Sequence, residues 1–392
     1  MIDLKATQEA IKKASLDGWL IYDFRGSNPL VELIAGKKVW TTRRVYYFIP
    51  AKGEPTLLVN RLDASHTGAL PGERLVYTDR HQLEDFLKKS LLKSVRRVAM
   101  EYSPLCELPV VSVIDGGTVE MIRSTGVEIV SSANIQQTVV AVWSDEAYKN
   151  HLVASKLVGG IKDKAFALIG RTLRSGGSLT DLDVQRFIMD QFAEEGLETD
   201  EPPVVATNQR SGDPHYVPTE ATHYPIKSHD WVLIDLWARQ PGESNIFSDI
   251  TWVGVIGRDP SIREHDVFIT VKQGRDKAIE LMKEIHRSGR LAQGWEIDTA
   301  TRKIISDKGF GEYFFHRTGH SLSPGKFVHG TGVNLDDYET HDTREIIPGV
   351  GWTVEPGIYL PEFGCRLEIN GRMTAGGPEV TSVVQQDIIV ES

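Results

Sequence analysis

Cysteine is nearly absent: Cys106 and Cys365 are the only two in 392 residues. Two thiols so far apart form neither a disulfide framework nor a thiolate metal site, and they suit a reducing compartment. Nowhere do about 18 apolar residues run together, which excludes a transmembrane helix. The stretch from Met1 to Gly18 carries charges throughout and has no apolar core, so no secretory signal is visible. A basic surplus is missing too. Lys plus Arg number 44 against 54 Asp plus Glu, a net charge of −10 that does not steer nucleic acid. The one basic run, Lys88, Lys89, Lys93, Arg96 and Arg97, is interleaved with leucines and reads as a solvated helix face. These absences predict an acidic cytoplasmic globular protein that engages neither nucleic acid nor membrane.

What is present supports two domains. The chain is 40% hydrophobic and 25% charged, ordinary for a globular protein, and domains take about 100–200 residues each. Up to about residue 140, strand candidates Gly18–Phe24, Val45–Pro50, Pro55–Val59, Arg97–Glu101 and Gly126–Val130 alternate with helical segments Leu4–Ala14 and His81–Leu92. That alternation predicts an α/β domain over residues 1–142. From Ser144 the texture turns to long helices. Leu157, Ile161, Ala165 and Leu168 recur at helical spacing, Thr180 is placed to cap the next helix, and further helices are expected near Val267–Arg287 and Asp298–Asp307. Strands Trp231–Ala238, Asp249–Ile256, Val350–Glu355 and Cys365–Ile369 flank them, giving an α+β domain over residues 143–392.

Four acids stand inside these apolar strands. Asp235 lies in Trp231–Ala238, and Asp249 begins the next strand, with turn-forming Gln240-Pro-Gly-Glu-Ser-Asn245 between them. A hairpin centred on Gly242 places Asp235 opposite Asp249, with Cβ atoms about 4.5–5.5 Å apart. Glu355 and Glu368 flank a second connection containing Pro361 and Gly364, and a second hairpin would bring them together. Two such hairpins with helices between them suggest an internal duplication. A single embedded acid reads most simply as a strand-end residue or half of an ion pair. Four at hairpin spacing repel unless a cation neutralises them.

Between the hairpins lie Phe315-His316-Arg-Thr-Gly-His320 and Phe327-Val-His329-Gly, and four of the 12 histidines fall within His316–His341. The neighbouring glycines are expected to allow close backbone approach to a ligand. Four carboxylates and an imidazole form a hard donor set for Mn²⁺, Co²⁺, Fe²⁺ or Zn²⁺. One divalent ion leaves two charges uncompensated, whereas two balance the set, as in hydrolases whose metals sit about 3.5–4 Å apart around a bridging hydroxide.

The segments Asp235…Ser248-Asp249-Ile-Thr251, His316-Arg-Thr-Gly-His320, Thr353-Val-Glu355-Pro-Gly-Ile-Tyr359 and Arg366-Leu-Glu368 resemble the M24 metallopeptidases, and among them Xaa-Pro dipeptidase (prolidase) and aminopeptidase P. The resemblance extends to residues 1–142, which are similar to the creatinase/prolidase N-terminal domain. It implies a pita-bread catalytic domain with two divalent ions, manganese favoured, held by Asp235, Asp249, His320, Glu355 and Glu368. Asp249 and Glu368 would bridge the ions, and Glu355 would be the general base. The same resemblance makes His215, His316 and His329 residues that meet substrate or steady the tetrahedral intermediate, with Arg366 and Tyr359 behind them. It also implies hydrolysis of Xaa-Pro bonds in dipeptides or short peptides, and a homodimer.

Some positions depart from that family pattern. Asp235 and Asp249 are more widely spaced, Leu236-Trp237 replaces a glycine, Ser321-Leu322-Ser323 replaces Gly-Ile-Gly, His329 comes late, and Trp252 stands where arginine is common. None removes a ligand, but all touch the pocket wall. The alternative is therefore a same-fold metal enzyme acting on a non-peptide small molecule, like the amidinohydrolases or the dimethylsulfoniopropionate lyases. A serine nucleophile is disfavoured because no Gly-x-Ser-x-Gly elbow occurs. Cys365, small and set in a strand, reads as a packing residue.

Overall fold

The computed structural model describes residues 3–391, and its contacts divide the chain into two compact units, one ending at Val140 and the other starting at Ala141. In the first unit, α1 (Leu4–Lys13) is capped by the Asp3 carboxylate and leads into β1 (Gly18–Phe24). There follow α2 (Pro29–Ala35), β2 (Arg44–Pro50), β3 (Thr56–Asn60), β4 (Glu73–Tyr77), α3 (Arg80–Phe86), β5 (Arg97–Met100), α4 (Gly116–Arg123), β6 (Glu128–Ser131) and α5 (Ala133–Gln136). The strands form one mixed sheet in the order β4-β3-β2-β1-β5-β6. Two elements that the sequence pattern does not announce explain themselves. β4 is an edge strand with only Tyr77 buried, and α2 spans seven residues, too few to establish a period. The helix expected over His81–Leu92 begins one residue earlier and ends in a π-helical turn, Leu87–Leu91. Lys88, Lys89, Lys93, Arg96 and Arg97 are all exposed.

The second unit opens with the 30-residue α6 (Asp145–Arg174), then β7 (Leu179–Thr180) and α7 (Asp181–Glu194), whose capping box joins Thr180 and Asp183. After these come β8 (Val204–Thr207), β9 (Pro225–Ile226), β10 (Trp231–Ala238) and β11 (Ser248–Ile256). The pattern then recurs: a 26-residue α8 (Ile262–Arg287), α9 (Gly294–Asp307), β12 (Ser321–Leu322) and β13 (Gly351–Val354). β14 (Gly357–Tyr359), β15 (Gly364–Arg366), β16 (Ile369–Thr374), β17 (Gly377–Val380) and β18 (Ile389–Glu391) complete the chain. Two four-stranded sheets run β18-β11-β10-β8 and β12-β13-β16-β17, and β14-β15 and β7-β9 form two-stranded pairs. Each half is thus a long helix, a shorter helix, a short strand and an antiparallel hairpin, the arrangement a duplication produces. Among the described residues, no helix is long and apolar enough to cross a membrane.

Strand alternation decides where the acids go. Val232, Ile234 and Leu236 pack on α6 and α7, whereas Trp231, Leu233, Val253 and Val255 pack toward α8. Asp235, Asp249 and Thr251 share the parity of the second group. In the other sheet Trp352, Val354 and Ile369 pack with α8 and α9, so Thr353, Glu355, Glu368 and Asn370 turn the other way. The acid-bearing faces of the two sheets turn toward each other, and Asn370 joins them by accepting the Asp249 backbone N–H at 2.8 Å.

On α6, His151 is fully buried between the Phe247 carbonyl (3.0 Å) and the Thr381 hydroxyl (2.7 Å), and burial pushes it down to about 4. The unfolded chain therefore binds a proton there at higher pH than the folded one does. This contribution is complete above pH 6.5 and is lost as pH falls toward 4, at about 1.4 kcal/mol per pH unit. Urea unfolding at pH 7 and pH 5 should show His151→Gln losing about 2 kcal/mol less than wild type across that interval.

Candidate metal centre

Both hairpins deliver carboxylates to one point, but not as the turn sequence alone suggests. β10 and β11 pair from Trp231 with Val255 to Ala238 with Ser248, one residue beyond a hairpin centred on Gly242. Asp235 therefore stands opposite Thr251, and Asp249 opposite Trp237, which corrects the expected direct pairing of the two aspartates. The cause lies in the connection, where Asn245 folds back with its N–H on the Gly242 carbonyl (2.9 Å) and its amide on Pro241 (2.8 Å). The two aspartates become diagonal neighbours on one face, a relation that spans about 7–8 Å.

In the second hairpin, Val354 pairs with Ile369 and Gly357 with Arg366, two pairs on one continuous register. Glu355 and Glu368 fall opposite each other on that register, in the gap between them. The expected strand Cys365–Ile369 is thus two strands, β15 and β16. The ladder breaks at Pro356, which has no N–H to give. Cys365 is fully buried in the apolar cluster with Ile358 and Leu367.

His320 completes the group. Its Nε2 lies 3.3 Å from Asp249 Oδ2 and 3.7 Å from Glu355 Oε1. Donor atoms of Asp249, His320 and Glu368 all lie within 4.8 Å of one another, and the three residues are buried. The imidazole is oriented from behind by the Ser321 carbonyl, 3.1 Å from Nδ1, and the His320 backbone N–H donates to Thr353 Oγ1 at 3.0 Å. Burial and the neighbouring His329 push His320 well below the usual histidine range. A neutral ring donating through Nδ1 turns the Nε2 lone pair toward two carboxylates, acceptor against acceptor.

Asp235 Oδ2 is paired with Arg366 at 2.5 Å, and Glu368 Oε2 accepts the Thr251 hydroxyl at 2.8 Å. Their other oxygens, Asp235 Oδ1 and Glu368 Oε1, are buried without a hydrogen-bond partner. Burial, then the neighbouring carboxylates, hold Asp249 and Glu368 well above the carboxylate range, and burial pushes Glu355 up to about 7. A cation would relieve the orphaned oxygens and the crowded acids together, and the donors present fit a divalent one.

Arg366 organises the remainder. Besides Asp235, its guanidinium donates to Tyr359 OH (2.9 Å) and Thr251 Oγ1 (3.0 Å). The Tyr359 hydroxyl in turn sits 2.8 Å from His316 Nε2, while His316 Nδ1 lies 2.7 Å from the Arg317 carbonyl. Burial and the Arg366 charge push His316 down to about 3. It is therefore neutral, donates through Nδ1 and accepts from Tyr359 at Nε2, so both ring nitrogens are occupied within the protein. His329 and His215, by contrast, are exposed in the same cleft of about 680 Å³, and the His329 ring centroid lies 4.3 Å from that of His320.

Every residue proposed from sequence lines this cleft except Tyr359, which stands behind Arg366 and His316. Sequence reasoning missed Asp200 and Glu339, neither of which belongs to a motif, and it missed the linking role of Thr251, whose motif gives no partner for its hydroxyl. Arg317, seen only as part of the histidine segment, lines the cleft and lies 3.4 Å from Glu339. The glycines of the histidine segment allow close packing within the fold. A Cβ on Gly319 would lie 2.1 Å from the Thr353 carbonyl, so the His320 segment can press against β13 only without one.

In the metal-free protein the folded state keeps Glu355 protonated where the unfolded chain, near 4.5, has released its proton. That stability is complete below about pH 4.5 and fades as pH rises to 7, worth about 3 kcal/mol for Glu355 alone. Thermal unfolding of the chelated protein between pH 5 and 7.5 should therefore show wild type losing about 2 kcal/mol relative to Glu355→Gln. Adding Mn²⁺ at pH 7.5 should raise the midpoint, and Glu355→Gln should flatten the metal-free slope.

Residues 154–375 match the model of metallopeptidase family M24. The chain is 33% identical over 187 residues to the Xaa-Pro dipeptidase of Pyrococcus horikoshii, covering 47% of this chain and 48% of that protein. It is 28% identical over 238 residues to the Xaa-Pro dipeptidase of Lactobacillus helveticus, covering 59% and 58%. These alignments span about half the length of the curated relatives. The fold resembles that of dipeptidase PepE from Mycobacterium ulcerans, with a TM-score of 0.67 at 20% identity over 99% of this chain and 96% of that one. With more than half of its length matched by the family model, the chain belongs to metallopeptidase family M24.

Proposed function

We propose that this protein is a dinuclear metallopeptidase that hydrolyses the Xaa-Pro bond of dipeptides or short peptides. The observation that carries the proposal is the buried meeting of Asp249, His320 and Glu368, with the unpaired oxygens of Asp235 and Glu368 beside it. In this reading Asp235, Asp249, His320, Glu355 and Glu368 would hold two divalent ions. Manganese is favoured for so oxygen-rich a set. When bound, the ions would acidify a water and polarise the scissile carbonyl.

The chain's own groups supply the rest. Glu355 can accept a proton at its carboxylate and return it to the leaving proline nitrogen. His329 and His215 have ring nitrogens free to donate to the carbonyl oxygen as its charge develops, an interaction worth about 2.7–4 kcal/mol where the donor is well placed. His316 acts through Tyr359 and Arg366, keeping the Asp235 carboxylate oriented. The names of the curated relatives support proline after the scissile bond. A homodimer working in the cytoplasm belongs to the same reading.

Release of the N-terminal amino acid from Leu-Pro, Gly-Pro and Leu-Pro-Gly, assayed after chelation and after adding back Mn²⁺ or Co²⁺, tests the proposal. The chelated protein should be inactive and regain activity with metal, and Glu355→Gln should lower kcat by at least about 100-fold. Full activity of the chelated protein would sink the two-metal assignment. Metal binding with no hydrolysis of any Xaa-Pro peptide would instead favour a non-peptide substrate.

A further inference from the structure

We propose that Asp200 is a positioning residue whose carboxylate pins the segment Ser323–Gly330 to Trp237, fixing His329 and the apolar wall that selects the substrate's side chain. The inference rests on the peptidase reading and deepens it. Asp200 lies ahead of β8 and lines the cleft. Its Oδ1 accepts the Trp237 indole N–H at 2.6 Å, and its Oδ2 accepts the Val328 backbone N–H at 3.0 Å. One carboxylate thus ties the end of β10 to a loop that is remote in sequence. Both carboxylate oxygens serve as acceptors, so the two bonds fix the orientation of the carboxyl group as well as its position.

The loop is held elsewhere too. Gly325 donates its N–H to the Glu243 carbonyl at 2.8 Å, and its own carbonyl accepts from Arg239, which is ion-paired with Glu198 at 2.8 Å. Val328 is buried with Ile246, Phe247 and Leu322, and Trp237 packs against the same group. Between these anchors Lys326 and Phe327 stay exposed, Phe327 at 60%, while Phe327 lines the cleft. A loop anchored at Gly325 and Val328 is a fixed wall. His329 follows Val328 directly, so the bond from Asp200 also sets where that imidazole stands. Trp237, Phe327 and Val328 make this side of the cleft apolar, which points to peptides carrying an apolar side chain there.

Limited trypsin digestion of the full-length, metal-free protein reads the pin without any substrate. Cleavage after Lys326, followed as the fragment beginning at Phe327, should be about fivefold faster in Asp200→Ala than in wild type, with other cuts unchanged. Asp200→Asn, which keeps one acceptor oxygen, should fall between them. Equal rates in wild type and Asp200→Ala overturn the pin. If Asp200→Ala does not fold, Trp237→Phe, which keeps the ring and loses the N–H, carries the same test. With metal supplied, the preference for Leu-Pro over Gly-Pro in kcat/KM should shrink about fivefold in Asp200→Ala, mainly through KM. An unchanged preference overturns the selective wall. Absence of Xaa-Pro hydrolysis in wild type defeats the peptidase reading and the selectivity with it, while the Lys326 rate still decides whether Asp200 pins the loop.

Discussion

Four carboxylates brought together out of water are the constraint on which the second unit is built. Asp235, Asp249, Glu355 and Glu368 line one cleft, and the Arg366 guanidinium that reaches Asp235 offsets only part of their charge. Left alone, such a group repels itself and stays partly protonated, as the raised Asp249, Glu355 and Glu368 indicate. Its cost is accepted where a cation joins the folded state, because ligand binding to the native form is itself stabilising. The second unit can thus be read as a scaffold that forces acids together more closely than their own electrostatics allow.

The scaffold accomplishes this by repetition. Each half sets a hairpin against a pair of helices, and strand alternation assigns one face of the hairpin to the apolar core and the other to the opposite half. To meet, the acids need only occupy the parity of each strand that faces the opposite half. Asn370 and Thr251 join the two faces: Asn370 bonds the Asp249 backbone, while Thr251 stands between Arg366 and Glu368. Behind them Tyr359 and His316 extend the hydrogen-bonded chain away from the carboxylates. The orientation of each donor therefore depends on contacts from both halves.

Away from the carboxylates the cleft is formed largely by loops set against the end of β10. The Ser323–Gly330 segment, Trp237 and Asp200 come from three separate stretches of chain, and hydrogen bonds hold them together where no sheet does. Such a wall can change in sequence without disturbing the donor set. This agrees with where the chain departs from its family's pattern, near Trp237 and after His320.

Much of this was legible before folding. Apolar strands with embedded acids, closely spaced histidines and turn residues between hairpins depend on local chemistry, and the residues so marked line one cleft or stand directly behind it. The sequence by itself determined donor identity, strand parity and helix periodicity, because each follows from nearest neighbours along the chain. Tertiary structure alone decided three further things. The register of the first hairpin shifted because Asn245 folds back on its turn, and the last long strand broke because Pro356 leaves its partner without a donor. The partnerships of Asp200, Thr251 and Tyr359 appeared only in space, since a hydrogen bond between residues far apart in sequence leaves no periodic trace in either segment.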